Sequence, residues 1–136
     1  MKLVVDSNRI IAALIKEGPT RKILCNAEFE FLTLDYVIEE VKKYQKYILE
    51  KSNMTEEQFD LLFMLVMDNI HIVPEQDVKK CMPEAINIMK HIDLDDAPIM
   101  ACALAIRNDG VWTEDKDFER QKRIKVWSTQ DLLSYF

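Results

Sequence analysis

The feature that most constrains the fold is the alternation of short apolar segments with helical patterns along the whole chain. The segments "KLVV", "FEFLTL", "HIVP", "GVWT" and "IKVW" predict five strands. Helical patterns lie between the first four strands and after the fifth. Short, continuously apolar strands that alternate with helices are typical of a mainly parallel sheet with helices on both faces. We therefore predict an α/β fold.

Capping and breaking residues set the expected helix boundaries. Thr55 with Gln58 three residues later forms a predicted capping box at the start of "EEQFDLLFMLVMDN". Asp35 is expected to cap a long helix that runs to about Glu50, and a later helix is predicted over "EAINIMKHI". The Leu/Phe/Met stripe of the predicted helices from Asp35 to Asn69 has two possible destinations, a protein contact and the core, and the core is favoured.

Length and composition favour one globular domain over residues 1–136, since the chain has 49% hydrophobic and 31% charged residues. The densest apolar run, Leu61–Met67, is far shorter than the ~20 residues that a membrane span requires, so no membrane association is expected. No secretory signal is visible. The three cysteines show neither close pairing nor metal-ligand spacing, which favours buried thiols and a cytoplasmic setting.

The net charge of -6 argues against a protein that coats nucleic acid by bulk electrostatics. It leaves open an enzyme of nucleic acids whose acidic residues are concentrated at a metal site.

Acidic residues follow strands or open helices at places that the fold would bring together. Asp6 follows the first strand, Asp115 and Asp117 follow the fourth, and Asp95 and Asp96 begin a helix. In open α/β sheets, ligands bind at the carboxyl edge of the strands. Each acid alone is explained by helix capping. Their coincidence at one edge indicates a site, in which either Asp95 or Asp96 and either Asp115 or Asp117 serves as the ligand.

The predicted helix after Asp35 offers a further acid and a choice between two neighbours. Adjacent helical residues point about 100° apart, so Glu39 and Glu40 cannot both face inward. Glu39 shares its face with several lysines and is expected at the surface. Glu40 follows Val37 by three residues and borders the apolar face, which makes it the better site candidate.

Gathered carboxylates suit a hard divalent cation, Mg²⁺ or Mn²⁺. Such a cation can lower the pKa of a bound water and neutralise charge on phosphate oxygens, with either one ion or two.

With these motifs in order, the chain resembles the PIN domain family of metal-dependent ribonucleases. The matching stretches cover essentially the whole chain: "VVDSN" with Asp6, "VIEEVKKY" with Glu40, "DLDDAPIMACALA" with Asp96, and "WTEDKDF" with Thr113, Asp115, Asp117 and Phe118. The resemblance implies a three-layer α/β/α sandwich with a mainly parallel five-stranded sheet. It also implies an endoribonuclease that hydrolyses single-stranded RNA with Mg²⁺ or Mn²⁺ and an activated water, leaving a 5′-phosphate and a 3′-hydroxyl.

The same resemblance assigns roles to residues. Asp6, Glu40 and Asp96 would hold the metal, and Asp115 or Asp117 would complete the site directly or through water. Hydrogen bonds to water or phosphate are assigned to three further residues, Ser7, Asn8 and Thr113.

Many small members of this family are toxins of toxin–antitoxin pairs and are often dimers, so the resemblance implies RNA as substrate, an antitoxin protein as partner and a homodimer. The alternative is a catalytically weak RNA- or protein-binding module that keeps the fold. The presence of all the candidate acids favours the enzyme.

Overall fold

The computed structural model describes residues 1–135, so Phe136, the last residue of the predicted domain, lies outside the described residues. Five strands form one all-parallel sheet in the order β3-β2-β1-β4-β5. They are β1 (Lys2–Val5), β2 (Glu30–Thr33), β3 (Ile70–Ile72), β4 (Val111–Trp112) and β5 (Val126–Trp127). The predicted α/β class with a parallel five-stranded sheet is confirmed.

Eight α-helices of the described chain cover the sheet. They are α1 (Ser7–Ile15), α2 (Pro19–Leu24), α3 (Asp35–Lys43), α4 (Gln45–Ser52), α5 (Glu56–Asp68), α6 (Glu75–Met89), α7 (Ala97–Ala105) and α8 (Thr129–Leu133). Helix α1 contacts α2 to α5, and α8 contacts α2, whereas α6 packs on α7 and α7 lies against β1 and β2. This is a three-layer arrangement. Within residues 1–135, no helix is long and apolar enough to cross a membrane.

The order in which the chain adds strands to the sheet reverses at β1. The strands run outward from β1 to β2 and β3, and the chain then returns to place β4 and β5 on the other side of β1. Val4 pairs with Val111 and Val5 with Trp112, so the carboxyl ends of β1 and β4 adjoin. Such a reversal is the point at which open α/β sheets bind ligands.

The central strands are held by apolar packing and one buried side-chain hydrogen bond. Leu3, Val4 and Val5 of β1 are fully buried. The buried hydroxyl of Thr33 donates to the carbonyl oxygen of Val5 at 2.6 Å. This bond ties the end of β1 to β2 immediately before Asp6.

The predicted helix from Asp35 to Glu50 is divided in two. The backbone N–H of Tyr44 donates to the carbonyl oxygens of both Glu40 and Val41, at 3.2 and 3.1 Å, and its ψ of 8° ends α3. The prediction that Asp35 caps this helix is wrong, because Leu34 is the N-cap and Asp35 is the first helical residue. The carboxylate still lies in the first turn, where the helix dipole favours negative charge.

Helix α6 begins nine residues earlier than predicted. It starts at Glu75 directly after Pro74 and continues through Pro83, which immediately precedes the predicted segment. Pro83 is exposed, and its lost hydrogen bond is offset by the burial of Val78, Ala85 and Met89 along the helix.

The capping box of α5 is confirmed, because Thr55 and Gln58 each bond the other's backbone N–H. The expectation that its apolar stripe enters the core is wrong for three residues. Leu61, Met64 and Leu65 are 59–65% exposed. We call these three residues the α5 stripe.

All three cysteines are unpaired. Cys102 is buried as expected and Cys81 is half-buried, but Cys25 is exposed, so the expectation of a buried thiol is wrong there.

Gly110 provides a test of how β4 is held. Its φ of +135° disfavours other residues, and an added Cβ would lie 2.4 Å from the carbonyl oxygen of Lys125. Gly110→Ala should therefore lower the free energy of unfolding by about 2–4 kcal/mol, measured by urea denaturation. Gly18→Ala is the control, since its Cβ would meet nothing within 4 Å, and it should change stability by less than about 1 kcal/mol. Equal stability of the two variants would contradict this account.

Candidate metal centre

Asp6 is positioned by the end of β1 and the start of α1. It is the N-cap of α1, and its Oδ1 accepts a hydrogen bond from the backbone N–H of Arg9 at 3.3 Å. Burial raises the pKa of Asp6, and the charge of Asp115 raises it further. Backbone N–H groups of Arg9 and Asn8 and the Arg9 charge act in the opposite direction. The side chain is thus a desolvated carboxyl in a fixed orientation.

Asp115 is positioned by the turn after β4. Its backbone N–H donates to the hydroxyl oxygen of Thr113 at 3.0 Å, and its own Oδ1 accepts the N–H of Asp117 at 2.9 Å. Thr113 is buried, and its N–H donates to the carbonyl oxygen of Trp127 at 3.1 Å. Thr113 therefore anchors the Asp115 turn to β5.

The loop from α6 to α7 carries three further acids. Asp93 is the N-cap of a 3₁₀ helix over Leu94–Asp96, and its Oδ1 accepts the N–H of Asp95 at 3.0 Å. The N–H of Asp96 donates to the carbonyl oxygen of Asp93 at 3.1 Å. This turn leaves Asp95 exposed and makes Asp96 half-buried at the start of α7.

Three of these side chains converge. Carboxylate oxygens of Asp93, Asp96 and Asp115 lie within 4.8 Å of one another. Burial, followed by the charges of Asp93, Asp115 and Asp6, raises the pKa of Asp96 to about 7. The charge of Asp6 therefore acts on the same carboxyl as the charges of Asp93 and Asp115. We call the four residues Asp6, Asp93, Asp96 and Asp115 the carboxylate cluster.

One atom of the cluster lacks a hydrogen-bond partner. Oδ2 of Asp96 is buried and receives no hydrogen bond from any residue in the described part of the chain. An unpaired buried carboxylate oxygen is costly, and a bound cation is one way to compensate it. Several carboxylate oxygens within one coordination sphere are also the donor set that hard divalent cations prefer. The residues present therefore fit a divalent metal.

Glu40 lies beside this cluster, and its carboxylate is not one of the three that converge. It is half-buried on α3, whereas its neighbour Glu39 is exposed. Glu40, Asp96 and Asp6 all act electrostatically on the hydroxyl of Tyr36, one turn earlier on α3. Burial first, and then these three charges, raise the pKa of Tyr36 to about 12.

The remaining predicted residues lie next to cluster members. Ser7 and Asn8 are the first two residues of α1, directly after Asp6. Asp117 is half-buried and donates its backbone N–H to Asp115. Glu114 has a separate role, because its Oε1 accepts the N–H of Thr129 at 2.6 Å and links this turn to α8.

Sequence reasoning missed Asp93. It stands three residues before Asp96 in "DLDDA", a spacing that a single helical turn brings to one side. This spacing is a usable signal only together with the 3₁₀ turn over Leu94–Asp96, whose shape no local pattern specified.

The fold and the cluster together define an α/β domain whose carboxylate site, at the point where the strand order reverses, could hold a metal ion. A family model described as PIN domain matches residues 4–136, and the chain belongs to the PIN domain family. The suspected family resemblance is thus confirmed. PIN domains have a nuclease-type fold, generally act on nucleic acids and generally use divalent metals. No curated protein matched the chain.

The raised pKa of Asp96 predicts a pH-dependent loss of stability in the metal-free protein. Its pKa rises from 3.8 to about 7 on folding, so between these values the folded state binds a proton that the unfolded state releases. The stabilisation of the folded state by this proton is full below pH 3.8 and is lost as pH rises through about 7. Asp96→Asn cannot ionise, so in EDTA at pH 8 it should melt roughly 2–5 °C above the wild type, with a smaller difference at pH 5.

Asp95→Asn is the matched control, because Asp95 is the exposed neighbour. Thermal unfolding of all three proteins at both pH values would measure the effect. If the melting temperature of Asp96→Asn exceeds that of the wild type by the same amount at pH 5 and pH 8, ionisation of Asp96 does not destabilise the folded protein and the prediction is wrong.

Proposed function

We propose that this protein is a Mg²⁺- or Mn²⁺-dependent endoribonuclease that hydrolyses phosphodiester bonds of single-stranded RNA, with residues 1–136 as one nuclease domain. The observation that carries the proposal is the convergence of Asp93, Asp96 and Asp115 beside Asp6, with one buried oxygen of Asp96 left unpaired.

In this proposal Asp6, Asp96 and Asp115 hold the cation, with Asp93 as an additional ligand and Glu40 and Asp117 acting through water. When bound, the cation would supply an acidified water as nucleophile and would neutralise charge on the phosphate oxygens. The protein fixes the ligands in advance, since Asp6, Asp93 and Asp115 each bond a backbone N–H through one carboxylate oxygen. Asp96 must lose its proton for the cation to bind, so affinity should increase up to a pH of about 7.

Groups around Asp6 support binding of a phosphate. Ser7 and Asn8 occupy the first turn of α1, where the helix dipole favours anions. The guanidinium of Arg9 contributes positive charge beside Asp6. Thr113 contributes by holding Asp115 in place.

Cleavage of labelled single-stranded RNA tests the proposal. We expect cutting with Mg²⁺ or Mn²⁺, none with EDTA, and 5′-phosphate products. Asp6→Asn, Asp96→Asn and Asp115→Asn should each reduce the rate at least about 100-fold, since each removes one charge from the cation site while asparagine can still cap a helix.

The chain offers a matched control for this assay. Asp95→Asn alters the exposed neighbour and should retain activity, in contrast to Asp96→Asn. Full activity in Asp6→Asn or Asp96→Asn would overturn the assignment. RNA binding that persists without any cleavage would instead favour the alternative, a binding module of the same fold.

We further propose a cytoplasmic toxin whose protein contacts use the α5 stripe, with a second copy or an antitoxin as the partner. Three unpaired cysteines fit a reducing compartment. The exposed Leu61, Met64 and Leu65 support an apolar contact. In light scattering the wild type should be a dimer, and Met64→Lys should give a monomer that keeps its fold. A wild-type monomer would remove the dimer from the proposal.

A further inference from the structure

A cavity of about 410 Å³ lies between α3, α6 and α7 beside the carboxylate cluster. Its apolar lining comes from Val73, Val78, Met82 and Pro98, and the side chain of Tyr36 forms part of its wall. This volume lies within the range of small-molecule pockets, about 300–1,000 Å³. The metal site described above makes no use of this cavity.

Tyr36 lies between this cavity and the cluster. Its side chain lines the cavity, while its hydroxyl lies within electrostatic range of Glu40, Asp96 and Asp6. Pro98 also lines the cavity and follows Asp96 by only two residues. Tyr36 is 43% exposed, so its ring is available to a ligand. A ligand bound at the carboxylate cluster could therefore place a second part of its structure against the Tyr36 ring.

We propose that this cavity binds one nucleobase of a single-stranded RNA, stacked on Tyr36, next to the phosphate that a cation at the carboxylate cluster would hold. The placement of the phosphate rests on the function proposed above. Stacking on aromatic side chains is the usual way in which proteins bind unpaired bases, and every base offers a face for it. A duplex would not enter, because its bases are stacked on each other.

The polar residues of the cavity explain why a base enters and a phosphate does not. Asp35, Glu39 and Glu75 contribute three carboxylates, which repel phosphate and can accept hydrogen bonds from base N–H groups. Lys79 is the single cation of the lining, and it is already paired with Glu75 at 3.3 Å. This acidic edge should favour adenine, cytosine and guanine, which carry amino groups, over uracil.

The test is a cycle of binding measurements with a fluorescein-labelled RNA hexamer in Ca²⁺ and in EDTA, read by anisotropy. Wild type, Tyr36→Ala and Tyr36→Phe are each titrated with the intact RNA and with hexamers that lack the base at one position. Tyr36→Ala should weaken binding of the intact RNA at least about fivefold, whereas Tyr36→Phe, which keeps the ring, should weaken it less than about twofold. Tyr47→Ala is the control, since Tyr47 is 46% exposed on α4 and should leave affinity unchanged.

The decisive quantity is the coupling between Tyr36 and one base. A hexamer that lacks the base at one position should bind the wild type more weakly than the intact hexamer does. Tyr36→Ala should bind these two RNAs with the same affinity. Equal losses in both proteins, an equal effect of Tyr36→Phe and Tyr36→Ala, or no measurable binding by the wild type would overturn the base site. Coupling between Tyr36 and a base, without any RNA cleavage, would support the base site and reject the nuclease. RNA cleavage without such coupling would support the nuclease and reject the base site.

Discussion

The pairing of β1 with β4 determines where the acidic residues meet. Because the two strands are parallel and Val5 lies opposite Trp112, the residues that follow them leave the sheet side by side. The Thr33 hydroxyl fixes the end of β1, and the Thr113 hydroxyl fixes the turn after β4. The chain reaches β4 through α6 and α7, so the loop with Asp93 and Asp96 arrives at the same edge. Position in the sheet, and not attraction between the side chains, assembles the cluster.

The cluster gathers like charges, and the fold tolerates this because most of the carboxylates also stabilise local structure. Asp6, Asp93 and Asp115 each cap a helix or turn through one oxygen, which offsets part of their repulsion. Asp96 makes no such bond through its buried oxygen, and its pKa is raised to about 7. The electrostatic cost of the site is therefore shared by Asp6, whose pKa is also raised, and Asp96, whose buried oxygen has no hydrogen bond.

Local sequence was sufficient for features that depend on one strand or turn. The five strands could be placed because each is a short apolar run. Asp6 directly follows β1 and Asp115 lies in the turn after β4, so both could be placed from the strands. Glu39 and Glu40 differ in exposure as helix geometry requires. Features that depend on packing were not predictable: the helix break at Tyr44, the continuation of α6 through Pro83, and the exposed α5 stripe. The approach of Asp93 belongs with these, because it needs a turn whose shape no local pattern specified.

The capping bonds of the cluster have a consequence for how the family can evolve. Asparagine caps helices about as well as aspartate, and a change of one nucleotide in the codon converts one to the other. Capping at Asp6, Asp93 or Asp115 would survive that change, while the negative charge would be lost. A descendant gene could thus lose part of the negative charge of the carboxylate cluster in a single step without first passing through a misfolded protein. Relatives that retain this fold without the full cluster are therefore readily accessible by mutation, and the sheet edge would remain available for other uses.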